Sequence, residues 1–417
     1  MTPNQAAEQR FKEPFTFDKC ARILDKVPFS TPFLLILPLL TYLYDRKATS
    51  PTELVASLKH LSDLPRSEAL ALVKGLIFTQ YKWVGYSVSF ILIKTVNRIL
   101  NRYIRNHGEW RRDPLDYSKD VVVITGGSQG IGAEIVKLLS KEKRATIAVL
   151  DFSLPTYPLK QLGGGRPDIL HFKVDVSNPE MVKEAGAKIR ESTRGKRIGC
   201  LINCAGIASG DTILDVDLSV ATKVWKVNTL ANWVTCQEFL PDLIRNNHGH
   251  VITVSSSGAY ASLPSMSEYS TSKAGALAFH ECLAIELRTR YNARRVRTTV
   301  VCPTKVRTAM GDGMEDHLDP FLTPVLEPIQ VAQKVVWSLD SGLSQHLLIP
   351  LFANILPYLR VLPDHFRRLV AVLGNTDNQV TKKSMRRALN NGYGKGWEGE
   401  NKEIYERKKK ILLAGDL

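Results

Sequence analysis

Three observations predict an α/β fold in which a doubly wound parallel sheet of about seven strands carries helices on both faces. The run Asp120–Thr125 is apolar and β-branched, which is typical of a strand buried on both faces. A glycine-rich turn at residues 126–132 follows it directly and leads into residues 133–139, which have helical periodicity. A second apolar run, Ala145–Leu150, comes next, so that the three segments form a βαβ unit.

The glycine-rich turn is a candidate phosphate-binding site. Gly126, Gly130 and Gly132 would allow a tight turn, close approach of the backbone to a pyrophosphate, and close packing of helix on strand. The free N–H groups at the start of the helix would face the anion. The spacing is a variant of the dinucleotide turn, and no Gly-Lys-Ser/Thr of a Walker loop follows. A glycine-rich turn without a ligand is the weaker alternative, because a strand precedes this turn and a helix follows it.

Asp151, at the end of the second predicted strand, favours NAD over NADP. It lies 19 residues beyond Gly132. A carboxylate at this point can accept hydrogen bonds from both hydroxyls of the adenosine ribose, and it would repel a 2′-phosphate. A solvated turn residue is the alternative interpretation of a single aspartate at a strand end.

Tyr269 and Lys273 form a Tyr-x-x-x-Lys pair that predicts acid–base chemistry. Their spacing places the phenol and the ammonium one turn apart on the same helix face. A phenol has an unperturbed pKa of about 10. A nearby cation would lower that pKa and suit the phenol to proton transfer with an alcohol or carbonyl. The run Ser255–Ser257 lies upstream, and a hydroxyl there could hydrogen-bond the oxygen on which charge develops. For an isolated match, an exposed helix pair would be the better interpretation.

With these motifs in order, residues 119–350 resemble the short-chain dehydrogenase/reductase family, which has a Rossmann fold. The turn from Thr125 to Gly132 matches the family's cofactor turn. Further matches are Asp175–Val176 after a predicted strand, Asn203–Gly206 after another, Asn228 in a predicted helix, and the loop Pro303–Thr308. The sequence departs from the family pattern at Cys204, where asparagine is usual, and at Thr304, where glycine is usual.

The resemblance implies the roles of the site residues. Ser256 stands thirteen residues before Tyr269, at the family's serine position, and would orient the substrate oxygen. Tyr269 would exchange the proton, and Lys273 would lower its pKa and bind the nicotinamide ribose. Asn228 would complete the proton relay, and no metal is expected. The implied contacts to NAD or NADP are Thr125, Gly126, Ser128, Gln129, Gly130, Ile131, Gly132, Asp151, Asp175, Val176, Asn203, Ala205, Gly206, Tyr269, Lys273, Pro303, Val306 and Thr308.

The length of 417 residues exceeds a single module of about 250 residues, so extensions are expected. We expect residues 1–118 to form a membrane-associating helical region, and residues 351–417 to form amphipathic helices and a basic tail around the Rossmann domain of residues 119–350. The six cysteines form no Cys-x-x-Cys motif, and the sequence has no Asn-x-Ser/Thr sequon. Both features indicate a reducing, cytosol-facing domain.

The formal net charge of +15 gathers outside the catalytic segment, at residues 94–112 and 360–410. Nucleic acid is disfavoured as a partner, because aromatic-interleaved stacking motifs and DNA-binding spacings are absent from the sequence. Anionic lipid headgroups would attract the same charges beside apolar stretches. A solvated basic face is the alternative for residues 407–410. His248 and His250 precede a strand, and a turn is favoured there over a metal site because no acidic or cysteine partners stand at ligand spacing.

Two N-terminal stretches are candidates for membrane association. Val27–Tyr44 has eighteen uncharged residues, at the lower edge of the roughly 20 that span a bilayer, and its three prolines weaken a straight helix. Trp83–Ile93 is uncharged and runs into basic residues at helical spacing, which indicates an amphipathic or re-entrant element. For both, packing on the soluble domain is the alternative. A cleavable signal peptide fits poorly with the mixed charges of the preceding residues.

The C-terminal part predicts elements around a substrate entrance. Leu351–Leu373 would form helices with apolar faces toward lipid or substrate. Residues 307–328 would form a mobile lid, hinged at its glycines. The tail from Thr381 onward is expected to be loosely ordered. The apolar pocket under the lid would be lined by Met310, Met314, Phe321 and Leu322.

The N-terminal extension, the position of Asp151 and the apolar C-terminal segment resemble the retinol and 17β-hydroxysteroid dehydrogenase branch of the family. This implies NAD-dependent interconversion of a hydroxyl and a carbonyl on a lipophilic substrate such as a steroid or retinoid. One alternative is an NADPH-dependent long-chain keto-lipid reductase, and another is a catalytically lapsed, cofactor-bound scaffold. A membrane-associated protein is expected, on the endoplasmic reticulum or a lipid droplet with its catalytic domain toward the cytosol, and a homodimer is a family expectation.

Overall fold

The computed structural model describes residues 82–159, 169–193, 195–316, 320–321, 323–373 and 375–390, with isolated positions at 16, 19–20, 65, 67–68 and 406. The stretch Val27–Tyr44 and the expected pocket residue Leu322 lie outside the described residues. The chain divides into two compact units, residues 1–102 and residues 103–417. In the part that is described, no helix is both long and apolar enough to cross a bilayer.

Seven parallel strands form one sheet in the order β3-β2-β1-β4-β5-β6-β7, which confirms the predicted fold class. The strand order reverses between β1 and β4, and ligands of such sheets bind in the crevice outside the carboxyl ends at this point. The strands are β1 Asp120–Thr125, β2 Thr146–Asp151, β3 Ile169–Lys173, β4 Arg197–Asn203, β5 Gly249–Val254, β6 Val296–Pro303 and β7 Gln345–Ile349.

Among the described helices, α1 Lys82–Arg105 precedes the sheet in sequence, and two shorter helices follow β7. Shorter turns of other types are a π-helix at Lys226–Leu230 and 3₁₀ helices at Ser257–Ala259, Gly311–Gly313, Leu351–Arg360 and Thr376–Asn378. The α-helices are α1 Lys82–Arg105, α2 Gly130–Lys143, α3 Pro179–Ser192, α4 Leu218–Trp225, α5 Ala231–Asn246, α6 Ser267–Thr289, α7 Pro328–Ser341, α8 Asp364–Leu373 and α9 Lys382–Asn390.

Two apolar cores lie on opposite faces of the sheet. Val122 and Ile124 of β1 belong to one core, which α2 and α7 complete, whereas Val121 and Val123 belong to the other, which α3, α5 and α6 complete. Alternate residues of a strand point to opposite faces of the sheet. An uninterrupted run of β-branched residues therefore contributes apolar side chains to both cores.

A buried charged cluster lies where β1 and β5 begin. His248 contacts two carboxylates, with Nδ1 2.9 Å from Asp113 Oδ2 and Nε2 3.0 Å from Asp120 Oδ2. Hydrogen bonds with Asp113 and then Asp120 raise the pKa of His248 to about 9. Arg295 and Arg197 also donate to these carboxylates, at 2.7 and 2.6 Å. The sequence indicated only a turn at His248, because both aspartates are more than a hundred residues away.

The C-terminal residues differ from the expected loose tail. Residues 382–390 form helix α9, and Ser384, Met385 and Ala388 on it are buried. The Ser384 hydroxyl donates to the carbonyl of Gly313 at 2.8 Å. The expectation of a loosely ordered tail is therefore wrong for these residues, because small and apolar side chains at helical spacing pack on the segment around Gly313.

Candidate active site

The candidate site lies at the carboxyl ends of β1 and β4, where the strand order reverses. The Thr125 hydroxyl accepts hydrogen bonds from the backbone N–H groups of Cys204 and Ala205 at 3.1 and 3.2 Å. Thr125, at the end of β1, therefore holds the loop that follows the adjacent strand β4. The substitution of Cys204 for the usual asparagine leaves this backbone contact in place.

The glycine-rich turn has the close packing that the sequence predicted. Gly126 has a φ of +67°, and a Cβ atom there would lie 2.7 Å from the Cα of Ala205. A side chain at Gly132 would collide with the carbonyl oxygen of Gly126. Both positions require glycine, so the backbone of the turn stays open to a ligand. Gln129 precedes α2 in an extended conformation. Ile131, two residues later, packs on the core that α2 and α7 complete.

Asp151 is held against this turn by two backbone hydrogen bonds. Its Oδ2 accepts from Ser128 N at 2.9 Å, and its Oδ1 accepts from Ser153 N at 2.8 Å. A carboxylate has about four acceptor positions, so each oxygen retains one for a ribose hydroxyl. The residues present therefore fit the adenosine end of a dinucleotide.

Asn203 is held by α5. Its Oδ1 accepts from the Thr235 hydroxyl at 2.8 Å. Burial raises the pKa of the Cys236 thiol to about 12, although a hydrogen bond with Asn203 opposes the rise. Thr235 is a residue that sequence reasoning missed, since no motif pointed to it.

The segment Pro303–Thr308 closes the other side of the turn. A Cβ atom at Gly130 would lie 3.3 Å from Cγ2 of Thr308, so these two residues are in close proximity. The backbone of Thr304 donates to Ile349 O at 2.9 Å, and Val306 is buried. The segment is thus anchored to β7 without the glycine that the family pattern has at residue 304.

The Asp175 carboxylate already has hydrogen-bond partners within the protein. Its Oδ1 accepts from the backbone N–H and the hydroxyl of Ser177 at 2.9 and 2.6 Å, and its Oδ2 lies 2.6 Å from Lys223 Nζ. Burial would raise the pKa of this carboxyl, but the hydrogen bond from Lys223 is the largest of several effects that hold it below its usual value. Any adenine contact at Asp175 and buried Val176 would share the carboxylate with Lys223, which the sequence did not predict.

Ser256, Tyr269 and Lys273 come together from the end of β5 and the first turns of α6. A Cβ atom placed on Gly258 would lie 3.4 Å from Ser256 Oγ and 3.7 Å from Cε1 of Tyr269. The Nζ of Lys273 lies 5.8 Å from the centre of the Tyr269 ring and donates to Val254 O at 2.9 Å. The hydroxyl of Ser255 donates instead to Lys273 O, at 2.8 Å.

The pKa of Tyr269 differs from the expectation. Burial raises it above the ordinary value of a phenol, and a hydrogen bond with Ser256 opposes that rise. Burial also lowers the pKa of Lys273 to about 8. The expected lowering of this pKa by Lys273 is not observed, and the Lys273 ammonium donates to the Val254 carbonyl.

Asn228 lies in the π-helix between α4 and α5, a local irregularity that often occurs at functional sites. Its Oδ1 accepts from Ile207 N at 2.8 Å, and its Nδ2 donates to Ile207 O and Ser272 Oγ, both at 2.9 Å. A Cβ atom at Gly206 would be 3.2 Å from Lys273 Nζ and 3.5 Å from Asn228 Oδ1. Glycine at 206 therefore leaves open the space between the amide and the ammonium.

A doubly wound sheet with this turn at its switch point defines the class of the protein as a dinucleotide-binding α/β protein. A family model described as short chain dehydrogenase matches residues 120–319. The chain belongs to the short-chain dehydrogenase/reductase family. Within it, the chain resembles the retinol and 17β-hydroxysteroid dehydrogenase branch.

Similar proteins carry dehydrogenase names. Dehydrogenase RED2 of Cochliobolus heterostrophus is 39% identical over 189 residues, which are 45% of this chain and 69% of the relative. Human estradiol 17-beta-dehydrogenase 11 is 30% identical over 251 residues, 59% of this chain and 80% of the relative. Mouse epidermal retinol dehydrogenase 2 is 29% identical over 252 residues, 58% and 78% of the two chains. Among solved structures, carveol dehydrogenase from Mycobacterium avium in complex with NAD is 21% identical, covers 55% of this chain and 95% of its own, and has a TM-score of 0.45.

Proposed function

We propose that this protein interconverts a hydroxyl and a carbonyl on a lipophilic substrate, such as a steroid or a retinoid, with Tyr269 as acid and base. The observation that carries the proposal is the convergence of Ser256, Tyr269 and Lys273 beside the glycine-rich turn. The names of the estradiol and retinol dehydrogenases among the relatives support the choice of substrate class.

Nicotinamide, when bound, supplies the hydride chemistry, and the protein supplies position and proton transfer. In the direction of reduction, the Tyr269 hydroxyl donates its proton to the carbonyl oxygen while the Ser256 hydroxyl donates a hydrogen bond to the same oxygen. In the direction of oxidation, the phenolate of Tyr269 accepts the proton of the alcohol. The raised pKa of Tyr269 supports a protonated phenol at neutral pH, which is the form that reduction requires.

Lys273 and Asn228 would return a proton to Tyr269 after each reduction and would carry one away from it after each oxidation. The Lys273 ammonium lies on the side of the Tyr269 ring, and the space at Gly206 separates it from the Asn228 amide. A water in that space would connect the two side chains. Lys273 would also bind the nicotinamide ribose, and its lowered pKa supports a group that can release and regain a proton near neutral pH.

We propose NAD as the preferred cofactor. The two Asp151 oxygens are fixed by Ser128 and Ser153, so the carboxylate stays directed at the turn that would bind the pyrophosphate. A 2′-phosphate would meet this fixed negative charge. Tighter binding of NADPH than of NADH by the wild-type protein would contradict the preference and favour the keto-lipid reductase.

We propose docking of the C-terminal segment on a membrane surface, with the substrate entering from lipid. Nine large apolar side chains between residues 351 and 372 are exposed, an unusually dense set for a water-facing surface. Arg360 donates to the carbonyls of Ala259 and Tyr260. Arg367 and Arg368 pair with Asp364 and Asp377 but are more than half exposed, so they would also attract anionic headgroups. The exposed side chains are Leu351, Ile355, Tyr358, Val361, Leu362, Phe366, Leu369, Val370 and Val372.

A homodimer is proposed through α5 and α6. Trp233 and Ile285 on these helices are exposed, as is Leu230 at the end of the preceding π-helix. Trp233 packs edge-on against Phe279 with ring centres 4.5 Å apart. Burial of these apolar side chains against a second copy would remove them from water. Sedimentation of wild type and Trp233→Glu tests this, since a dimer predicts a lower mass for the variant.

The proposed function is tested with a panel of lipophilic alcohols and ketones and both cofactors. Tyr269→Phe should bind NADH normally and lose turnover, whereas Tyr291→Phe, an exposed tyrosine on another part of the chain, should keep it. Turnover that survives in Tyr269→Phe would overturn the assignment of the acid and base. Absence of turnover in the wild type over the whole panel, with cofactor bound, would favour the scaffold.

A further inference from the structure

The C-terminal helix α9 brings apolar side chains to the candidate acid–base residue. Met266, Val380 and Met385 form a separate buried cluster. Tyr269 itself packs against that cluster, so the phenol that would exchange the proton has hydrocarbon and thioether groups on one side. The other side chains that pack there are Ala208, Leu263 and Met314.

The thioether of Met385 lies between two loops that border the site. A Cβ atom at Gly210, in the loop after β4, would be 2.5 Å from the sulfur of Met385. A Cβ atom at Gly313, in the segment where the sequence predicted a lid, would be 2.9 Å from the same sulfur. Met385 therefore occupies the space between these loops, and both glycines make room for it.

Polar contacts fix helix α9 in this place. Besides the bond from Ser384 to Gly313, Arg387 donates from Nη2 to Met314 O at 2.9 Å and from Nε to Asp312 O at 3.2 Å. Its Nη1 lies 3.2 Å from Glu315 Oε2. Four consecutive residues, 312–315, are thus bonded to one turn of α9. These contacts of Ser384 and Arg387 fix the backbone of α9, and therefore the point from which the Met385 side chain extends.

The side chains of this cluster match a hydrocarbon ligand. Three of the six methionines of the chain, Met266, Met314 and Met385, lie in it. Thioethers are polarizable and adapt to the shape of an apolar group. Since Tyr269 is in contact with the cluster, a substrate whose oxygen reaches the phenol would place its neighbouring carbon skeleton against these methionines.

We infer that Met385 is a specificity-determining residue, whose side chain limits the width of the apolar group flanking the reacting carbon. The inference rests on the proposed function and deepens it. The substrate class is an alcohol or carbonyl compound with an apolar skeleton, and the C-terminal helix of the chain selects among its members by width. One methylene in an apolar pocket changes discrimination by roughly 10- to 200-fold, which is the scale expected for shortening this side chain.

The test compares kcat/KM for a wide and a slim substrate, estradiol and 2-octanol, in wild type and variants. Met385→Ala should raise the ratio for estradiol over 2-octanol by on the order of tenfold, and Met385→Phe should lower it. The matched control is Met181→Ala, because Met181 is a half-buried methionine that packs on a different core. This control should leave the ratio unchanged.

A second variant guards against loss of folding in Met385→Ala. Gly313→Ala adds a methyl group whose nearest atoms are the sulfur of Met385 at 2.9 Å, the Cβ of Ala388 at 3.7 Å and the Cε of Met385 at 3.8 Å. The added methyl group should displace the thioether and lower the ratio of kcat/KM for estradiol over 2-octanol. A melting temperature close to that of wild type would confirm that the variant is folded. An unchanged ratio in both Met385 variants and in Gly313→Ala overturns the inference.

Failure of the inference and failure of the proposed function give different results. If the ratio is unchanged but Tyr269→Phe is inactive, Met385 has no role in specificity and the proposed function stands. If the wild type turns over neither substrate nor any other alcohol or ketone of the panel, the proposed function fails and the inference fails with it.

Discussion

The ammonium of Lys273 donates its hydrogen bond to the carbonyl of Val254 at 2.9 Å while it stands 5.8 Å from the centre of the Tyr269 ring. The strand end, and not the phenol, is thus its direct partner. Burial raises the pKa of Tyr269, and the hydrogen bond with Ser256 opposes that rise. The protonation state of this phenol gives the first prediction.

Alcohol oxidation should accelerate with rising pH, and carbonyl reduction should slow. Oxidation requires the phenolate of Tyr269, whose pKa is raised by burial, so the phenolate fraction grows only in the alkaline range. Profiles of kcat/KM from pH 6 to 10 in both directions measure this. Lys273→Met should lower the rate through loss of the ribose contact and leave the position of the alkaline rise unchanged, because burial and Ser256, and not Lys273, shift the pKa of Tyr269. A flat oxidation profile would contradict Tyr269 as the base.

Asp151→Asn should weaken NADH binding and reduce the preference over NADPH. The substitution removes the negative charge that would repel a 2′-phosphate and weakens the acceptors of the Ser128 and Ser153 backbone bonds. We expect roughly a tenfold loss in NADH affinity, in line with about 1.4 kcal/mol per factor of ten. Fluorescence titration with both cofactors measures it, with the exposed Asp215→Asn as control. Equal affinities in wild type and Asp151→Asn would refute the role of Asp151.

His248 should stabilise the fold below neutral pH and lose its effect in alkali. Its pKa is about 9 in the folded protein against 6.5 in an unfolded chain, so its contribution is complete below 6.5 and disappears as the pH rises through 9. At about 1.36 kcal/mol per pKa unit, the contribution is on the order of 3 kcal/mol. Urea unfolding of wild type and His248→Asn should therefore give curves that differ most near pH 6 and converge toward pH 9.5. A constant difference across this range would exclude the charged imidazole as its source.

Acidic substitutions on α8 should release the protein from lipid. Phe366 and Leu369 are exposed apolar residues one turn apart, and charged carboxylates in their place oppose both burial in the interface and attraction to anionic headgroups. Flotation with vesicles of phosphatidylcholine and phosphatidylserine measures binding of Phe366→Glu/Leu369→Glu, with the exposed Trp337→Glu as control. Equal flotation of the double variant and wild type would place any lipid contact elsewhere in the chain.

Local sequence patterns were sufficient for the parts of the fold in which neighbours along the chain determine the structure. The β-branched run at 120–125 forms an interior strand of the sheet, and the required glycines at 126 and 132 follow from the tight turn behind it. The spacing of four between Tyr269 and Lys273 placed both on α6. Strand period, turn geometry and helix period are local properties, so one sequence carries them without reference to the rest of the chain.

Only the tertiary structure decided which distant groups meet. His248 lies 135 and 128 residues from its two carboxylate partners, and Met385 joins the cluster against which Tyr269 packs only because α9 folds back onto the segment at 312–315. The same holds for the pKa of Tyr269, which depends on burial by other elements and on the hydrogen bond with Ser256. Burial and long-range electrostatics depend on where the elements pack, and no spacing within one element can specify that.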